Sequence, residues 1–525
     1  MQVVSNRISL DILRTVLALR NFFKTVAIVT VFSVSEKFLG FLYRIFLSHT
    51  IGAEGIGLYQ VTLSVFALIF TATCSGTPIT VSRLMTKFKA ENNPEKVKKI
   101  ITAGLLLTIS VVVPVCIVCY FLGDHLGFFF ADARCIKLFR VMLPGLAFTS
   151  VYSVLRGVFW GNKDFLPYSI IELLEEICMI VSGVILITFA TSVYDGAFRA
   201  SLAVLISYVF SFILAVTVFI VRKNKLSNPK PLMRPLIQSA LPITVMRTAS
   251  TLTVSLVSII LPIRLVLSGY TNSQAMSLFG SAMGQAIPLL FIPTTLIGSF
   301  TLVLVPEIAE NYYKKQYFYL KRDVEKAMKF TCFLTCLFVP VFFVCGKEIG
   351  ILVFNSTQCG EFLKYSAFLM VFMSLSSITT SMLNSMGLEK KTLIYYIISS
   401  IFMLFCIYFL PAVMGIYALL VGFTFVYGLT TIFNMKLLKK SCNQKPRYTK
   451  FIIYSVLIIL PTTLLGVMLE KLLLSHLGLL LTFLICTILM MIFSLLLYVG
   501  FGLIKVNTII SKIKLNKKAK RIHSL

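Results

Sequence analysis

"SEKFLGFLYRIFLSHTIGAEGIGLYQ", residues 35–60, sits in an apolar run long enough to cross a bilayer, yet it carries Glu36, Lys37 and Arg44. A charge near the centre of a membrane helix costs about 2.5–3.5 kcal/mol on insertion scales. Three such residues so close together call for a compensating role. At about 100° per residue, Ser33, Glu36, Lys37, Gly40 and Arg44 share one narrow arc. They form the polar face of an otherwise apolar helix. "GAEGIGLYQ" then reads as a short external turn into a second span.

Runs of the same apolar character recur along all 525 residues, of which 58% are hydrophobic and only 13% charged. Soluble domains average about 25% charged residues, so one globular core does not explain the chain. The class is an all-α polytopic membrane protein. Hydrophobic runs set against polar breaks predict fourteen transmembrane helices, among them 25–48, 56–82, 165–190, 236–266 and 277–305.

The net charge of +29 would suggest nucleic acid in a soluble protein; here the basic residues collect in alternate loops. Assigning both termini to the cytoplasm puts 38 of the 49 Lys and Arg inside, with seven outside and four within spans. A missed span would scramble that alternation, so no nucleic-acid partner is expected. The location expected is the cell membrane, multi-pass. Residues 1–23 carry several charges and lack an apolar signal core, so a cleavable signal peptide is not expected. This leader reads either as an amphipathic helix on the cytoplasmic surface or as a frayed end. The twelve Cys are scattered and read as small packing residues; no metal site is expected.

The chain partly repeats after about 225 residues. "VVVPVCIVCYFLGDHLGFFF" (111–130) parallels "CLFVPVFFVCGKEIGILVF" (336–354), aligning Pro114 with Pro340 and Gly127 with Gly350, each after a basic segment. The expected organisation is an N-lobe at 24–235 and a C-lobe at 236–440, six spans each. Two further helices and a basic tail follow at 441–525. Parallel repeats of this kind are a transporter architecture with the substrate path between halves.

Two more polar stripes accompany the first. The span at 236–266 aligns Thr244, Arg247, Thr248, Thr251, Ser255 and Ser258, and the span at 165–190 aligns Ser169, Glu172, Glu175 and Glu176. Gln285, with Pro288 and Pro293, has the pattern of a broken helix bordering a cavity. These stripes read either as the wall of a shared water-filled cavity or as ion pairs that lock helices, for example Glu36 or Glu172 with Lys37 or Arg44. Arg83 and Arg156, at cytoplasmic helix ends, read as interfacial anchors or as contacts for entering substrate. The four His are dispersed and no catalytic constellation or phosphate loop occurs, so an enzyme is not expected. Arg binds phosphate or carboxylate bidentately in a low-dielectric site, which suits an anionic amphiphile.

"SEKFLGFLYRIFLSHTIGAEGIGLYQ", "SGTPITVSRLM" (75–85), "LRGVFWGNKDFLP" (155–167) and "GSFTLVLVPEIAE" (298–310) resemble the polysaccharide-transporter branch of the multidrug/oligosaccharidyl-lipid/polysaccharide exporter superfamily. Within it the chain most resembles the stage V sporulation protein B family, over roughly residues 24–505. The resemblance implies two six-helix lobes around a V-shaped cavity, two additional helices and alternating access. It implies export of a lipid-linked saccharide, the peptidoglycan precursor of the spore cortex. By the same resemblance Arg44 contacts the diphosphate, with Lys37 beside it, Gly40 allowing close approach and Arg247 facing them. Related flippases have an Arg-dominated cavity; Glu36, Glu172, Glu175 and Glu176 depart from that pattern. They either face away or pair with the cations and carry coupling protons. No cofactor is implied beyond H+ or Na+ coupling or the membrane potential. The partners implied are an anionic lipid-linked oligosaccharide, the bilayer and cell-wall synthases. Two other readings remain: a cation-coupled multidrug exporter of the same fold, and a non-transporting cell-wall assembly factor.

Overall fold

The structure, a computed structural model, describes residues 2–122, 127, 130–443 and 447–503, without side-chain positions at 2–28, 30, 299–300, 302–303 and 306. The leader's side chains and the tail beyond residue 503 therefore lie outside the described residues. The described chain is helical almost throughout and contains no strand. It forms two compact units, Met1–Gly280 and Ser281–Leu525.

The first unit opens with α1 (Gln2–Cys74), α2 (Thr77–Ala90), α3 (Pro94–Phe121) and α4 (Arg134–Gly161). It continues with α5 (Phe165–Thr188), α6 (Val193–Val221), α7 (Lys230–Leu267) and α8 (Asn272–Phe279). Capping sets several of these starts. Asn93 accepts from the Lys96 N–H ahead of Pro94 in α3, and Ser192 accepts from the Asp195 N–H in α6. Thr271 and Gln274 form a reciprocal capping box on α8.

The opening stretch departs from expectation. It is not a loop between two helices: α1 is broken only at Gly52, with φ 63° and ψ −174°. That backbone region is reached essentially by Gly alone, and a Cβ there would touch nothing, so the residue serves the bend rather than the packing. Beyond the bend, Gly57 and Gly280 lie where a Cβ would collide with the backbone of Met276 and of Ala53. The second half of α1 and the α8 end thus meet backbone to backbone, as small residues permit between membrane helices. Val81, Ile100, Val154 and Phe159 form an apolar core among α2, α3 and α4.

A π-helical turn, Gly280–Ala286, joins α8 to α9 (Ile287–Tyr313). The expected break at Gln285 is this wider turn instead: the helix continues through Pro288 and Pro293. The second unit goes on with α10 (Tyr317–Val344), α11 (Gly346–Phe354), α12 (Thr357–Ser366) and α13 (Leu369–Ser385). It ends with α14 (Glu389–Phe409), α15 (Pro411–Met414), α16 (Ala418–Ser441), α17 (Thr449–Leu474) and α18 (Leu479–Gly500). The repeated motif falls on α3 and α10, which are both 28 residues long, begin with a basic segment and carry the aligned Pro114 and Pro340 internally.

Leu460, Leu464, Met468 and Leu472 run exposed along one face of α17. In water such a stripe would be costly; in a bilayer it is the lipid face. By length and composition eleven helices suit a membrane span, or twelve if α12 and α13, bent by 61°, count as one. The expected fourteen is not reached by that test, for two physical reasons. The span at 165–190 is α5, which carries three Glu, and the spans at 25–48 and 56–82 share the single kinked α1. All twelve Cys are unbridged and nine of them are buried, in keeping with packing roles.

Candidate functional site

The first unit concentrates its charges where α1, α4, α5 and α6 meet. The three Glu of α5 share one face, since positions i, i+3 and i+4 stack along a helix. They nevertheless reach three different neighbours.

Glu172 is held by Arg156 of α4: Arg156 Nη1 donates to Glu172 Oε1 at 2.8 Å, with both side chains mostly buried. The guanidinium also lies 5.1 Å over the Trp160 ring, whose edge meets Tyr168 at 5.6 Å. Arg156 therefore engages a carboxylate and an aromatic face together, the two kinds of surface its planar cation prefers. Glu36 of α1 lies within electrostatic reach of both Glu172 and Arg156.

Glu176 turns to α1. Its Oε1 lies 2.8 Å from the place a Cβ on Gly40 would occupy, so the group that approaches Gly40 closely is a carboxylate of the protein itself. One turn further along α1, Arg44 interacts electrostatically with Glu176 and with Tyr59. Glu175 turns to α6, where it lies against Ser211 and Tyr208. α1 and α5 also approach closely at Gly183, which is covered by the Tyr43 hydroxyl.

The polar stripe of α7 is used differently. Gly76 N–H donates to Thr244 Oγ1 at 3.2 Å, and Thr251 Oγ1 lies 3.4 Å from Thr71 Oγ1. Ser255 Oγ donates to the Ser64 carbonyl at 2.8 Å, and Ser64 Oγ donates to Ser258 Oγ at 2.9 Å. The stripe thus packs α7 on the second half of α1, not on the half that carries Arg44. Beside these bonds lies a cavity of about 320 Å³ between α1, α4, α6 and α7. Gln60, Thr149, Tyr208 and Thr251 give it polar walls, and Phe66 and Phe70 apolar ones.

The structure thus gathers Glu36, Gly40, Arg44, Arg156, Glu172, Glu175 and Glu176 within the first unit. Lys37 and Arg83 are exposed, and so is Arg247, which makes no ion pair with a carboxylate among the described residues. Sequence reasoning did not single out Tyr59, Trp160, Tyr168 or Tyr208. Trp160 is the only Trp in the chain, and amphipathic aromatic residues inside apolar helices were the available signal.

This constellation lies in the stretch that a known family model covers. The model described as polysaccharide biosynthesis protein matches residues 22–312, more than half of the chain. The chain belongs to the polysaccharide biosynthesis protein family. Among curated relatives it is 25% identical to stage V sporulation protein B of Bacillus subtilis (strain 168), over 67% of this chain and 70% of that one. It is 21% identical to lipid II flippase MurJ of the same organism, over 58% of this chain and 61% of that one.

Among solved structures, lipid II flippase MurJ in an inward closed conformation superposes with a TM-score of 0.69, covering 90% of this chain and 99% of that one at 14% identity. An inward-facing multidrug resistance MATE family transporter of the MOP superfamily gives 0.64, covering 78% and 94% at 16% identity. The family member described here therefore has the fold of that superfamily. Of the relatives named, MurJ is a lipid II flippase and the MATE protein a multidrug transporter.

Proposed function

We propose that the protein moves an anionic lipid-linked saccharide, the precursor of the spore cortex peptidoglycan, from the inner to the outer leaflet of the cell membrane by alternating access. The observation that supports this reading is the placement of two arginines, Arg44 and Arg156, among apolar helices of the first unit, each beside a carboxylate. Arg156 and Glu172 make a pair that a diphosphate can exchange into: the anion takes the guanidinium, and the released carboxylate takes up a proton so that it is not left as an uncompensated charge. Likeness to stage V sporulation protein B and to lipid II flippase MurJ adds weight to the substrate class. The same reading includes fourteen spans with both termini cytoplasmic and two six-helix lobes around a central cavity. Outward movement of an anion is favoured by an inside-negative potential, by about 2.3 kcal/mol per charge per 100 mV.

The test is translocation of a labelled lipid-linked precursor in proteoliposomes. Arg44→Ala is expected to abolish transfer while the protein remains monodisperse. Normal transfer by that variant would remove Arg44 from the site. A second reading draws on the carboxylate surplus: Glu36, Glu172, Glu175 and Glu176 outnumber Arg44 and Arg156, as suits a cation-coupled exporter of cationic compounds. Substrate-dependent H+ or Na+ flux without lipid transfer would favour it. A purified protein that moves no lipid but co-purifies with a cell-wall synthase would favour an assembly factor instead.

A further inference from the structure

A cavity of about 580 Å³ opens where the α2–α3 turn meets the α6–α7 turn, and none of the α5 glutamates lines it. Its walls carry four lysines, Lys89, Lys98, Lys223 and Lys225, together with Asn92 and Asn93, over an apolar floor of Val97 and Ile101.

Few carboxylates answer these charges. Glu95 binds Lys98 at 2.6 Å, and Glu91 lies at 3.8 Å from Lys87 and 4.0 Å from Lys96, neither of which lines the cavity. Asp164 is engaged by Arg222 at 2.9 Å. Lys89 donates to the neutral Asn162 amide oxygen and, at 3.5 Å, to the Gly161 carbonyl. Lys223 and Lys225 have no ion pair among the described residues. The net charge facing the cavity is strongly positive.

The walls are also held in place without a ligand. Ser227 N–H donates to Thr102 Oγ1 at 3.0 Å, which ties the α6–α7 turn to α3. Asn224 Nδ2 donates to the Phe219 carbonyl at 3.2 Å. Asn92 and Lys223 both adopt left-handed backbone, with φ 50° and 53°. A lysine held in that conformation costs about 1 kcal/mol or more, so the turn around it is built to a fixed shape. A preformed cavity with ammonium groups around an apolar floor matches a phosphate carried on, or next to, an apolar body.

We propose that this cavity binds a phosphate group at the membrane surface, separately from the transported substrate. The phosphate comes either from an anionic lipid headgroup or from dissolved inorganic phosphate. The basic turns that form the cavity are those expected at the inner leaflet, where anionic headgroups are available.

The experiment uses the purified full chain and native mass spectrometry, with phosphatidylglycerol, phosphatidylcholine and inorganic phosphate as probes. The wild type is expected to retain one phosphatidylglycerol in preference to phosphatidylcholine. Lys223→Asn combined with Lys225→Gln is expected to weaken that retention about thirtyfold, from about fivefold per lysine near a headgroup. Asn is chosen because it tolerates left-handed backbone. Lys439→Gln with Lys440→Gln removes the same charge from α16 and should leave retention unchanged. If the first variant does not stay monodisperse, Lys89→Gln with Lys98→Gln tests the opposite wall. Displacement of the lipid by millimolar phosphate that itself binds assigns the cavity to free phosphate; retention against phosphate assigns it to the lipid. Equal retention of the two lipids with no phosphate bound, or an equal loss in the α16 variant, overturns the proposal.

Discussion

Arg156 shows how the surroundings of one residue set its role. At the end of a membrane helix an arginine commonly anchors to headgroups, but here it bonds Glu172 and covers Trp160. Removing it leaves a mostly buried carboxylate without its cationic partner, a loss of about 1–3 kcal/mol and more where the charge persists. Arg156→Met is therefore expected to lower the unfolding midpoint in detergent, and Glu172→Leu added to it is expected to restore most of the loss. Additive losses in a thermal-melt cycle would mean that the pair is not coupled. The identity of each charged residue was legible in the sequence, as was its place on a polar face. Its partner was not. The neighbour at Gly40 is the Glu176 carboxylate, which the sequence did not name, because periodicity orients a side chain about its own helix without saying which helix lies opposite.

At the scale of elements, two glycines and one bend determine how α1 is used. Gly57 and Gly280 allow α1 and α8 to touch through their backbones. Gly57→Ala is expected to force those helices apart and to reduce folded yield and melting temperature sharply. Gly298→Ala, at a position where a Cβ meets nothing, is expected to be neutral or to stabilise by about 0.5–1 kcal/mol through reduced backbone entropy. Equal behaviour of the two variants in a melting assay would contradict the close approach. The α7 stripe teaches the same lesson on a larger element. Its serines and threonines were legible as one face, yet that face bonds to Ser64, Thr71 and Gly76 rather than to a charged partner. Hydroxyls alone do not distinguish a wall that faces water from a seam between helices, since either environment satisfies them.

At the scale of the whole molecule, the distribution of basic residues predicts a direction for every span. Lys96→Cys, between the second and third expected spans, should react with a membrane-impermeant maleimide only in inside-out vesicles. Lys137→Cys, near the opposite end of α4, should react only in right-side-out ones. The reverse pattern would invert the topology. The sequence by itself determined the all-helical membrane class, the polar faces and the family, because hydropathy, periodicity and motif spacing are local properties that survive in one dimension. Only the tertiary structure decided that Arg156 holds Glu172, that Glu176 fills the space at Gly40 and that α1 bends at Gly52 alone. Those outcomes depend on which helices become neighbours and how closely, and that choice is made by packing summed over many residues far apart in the chain.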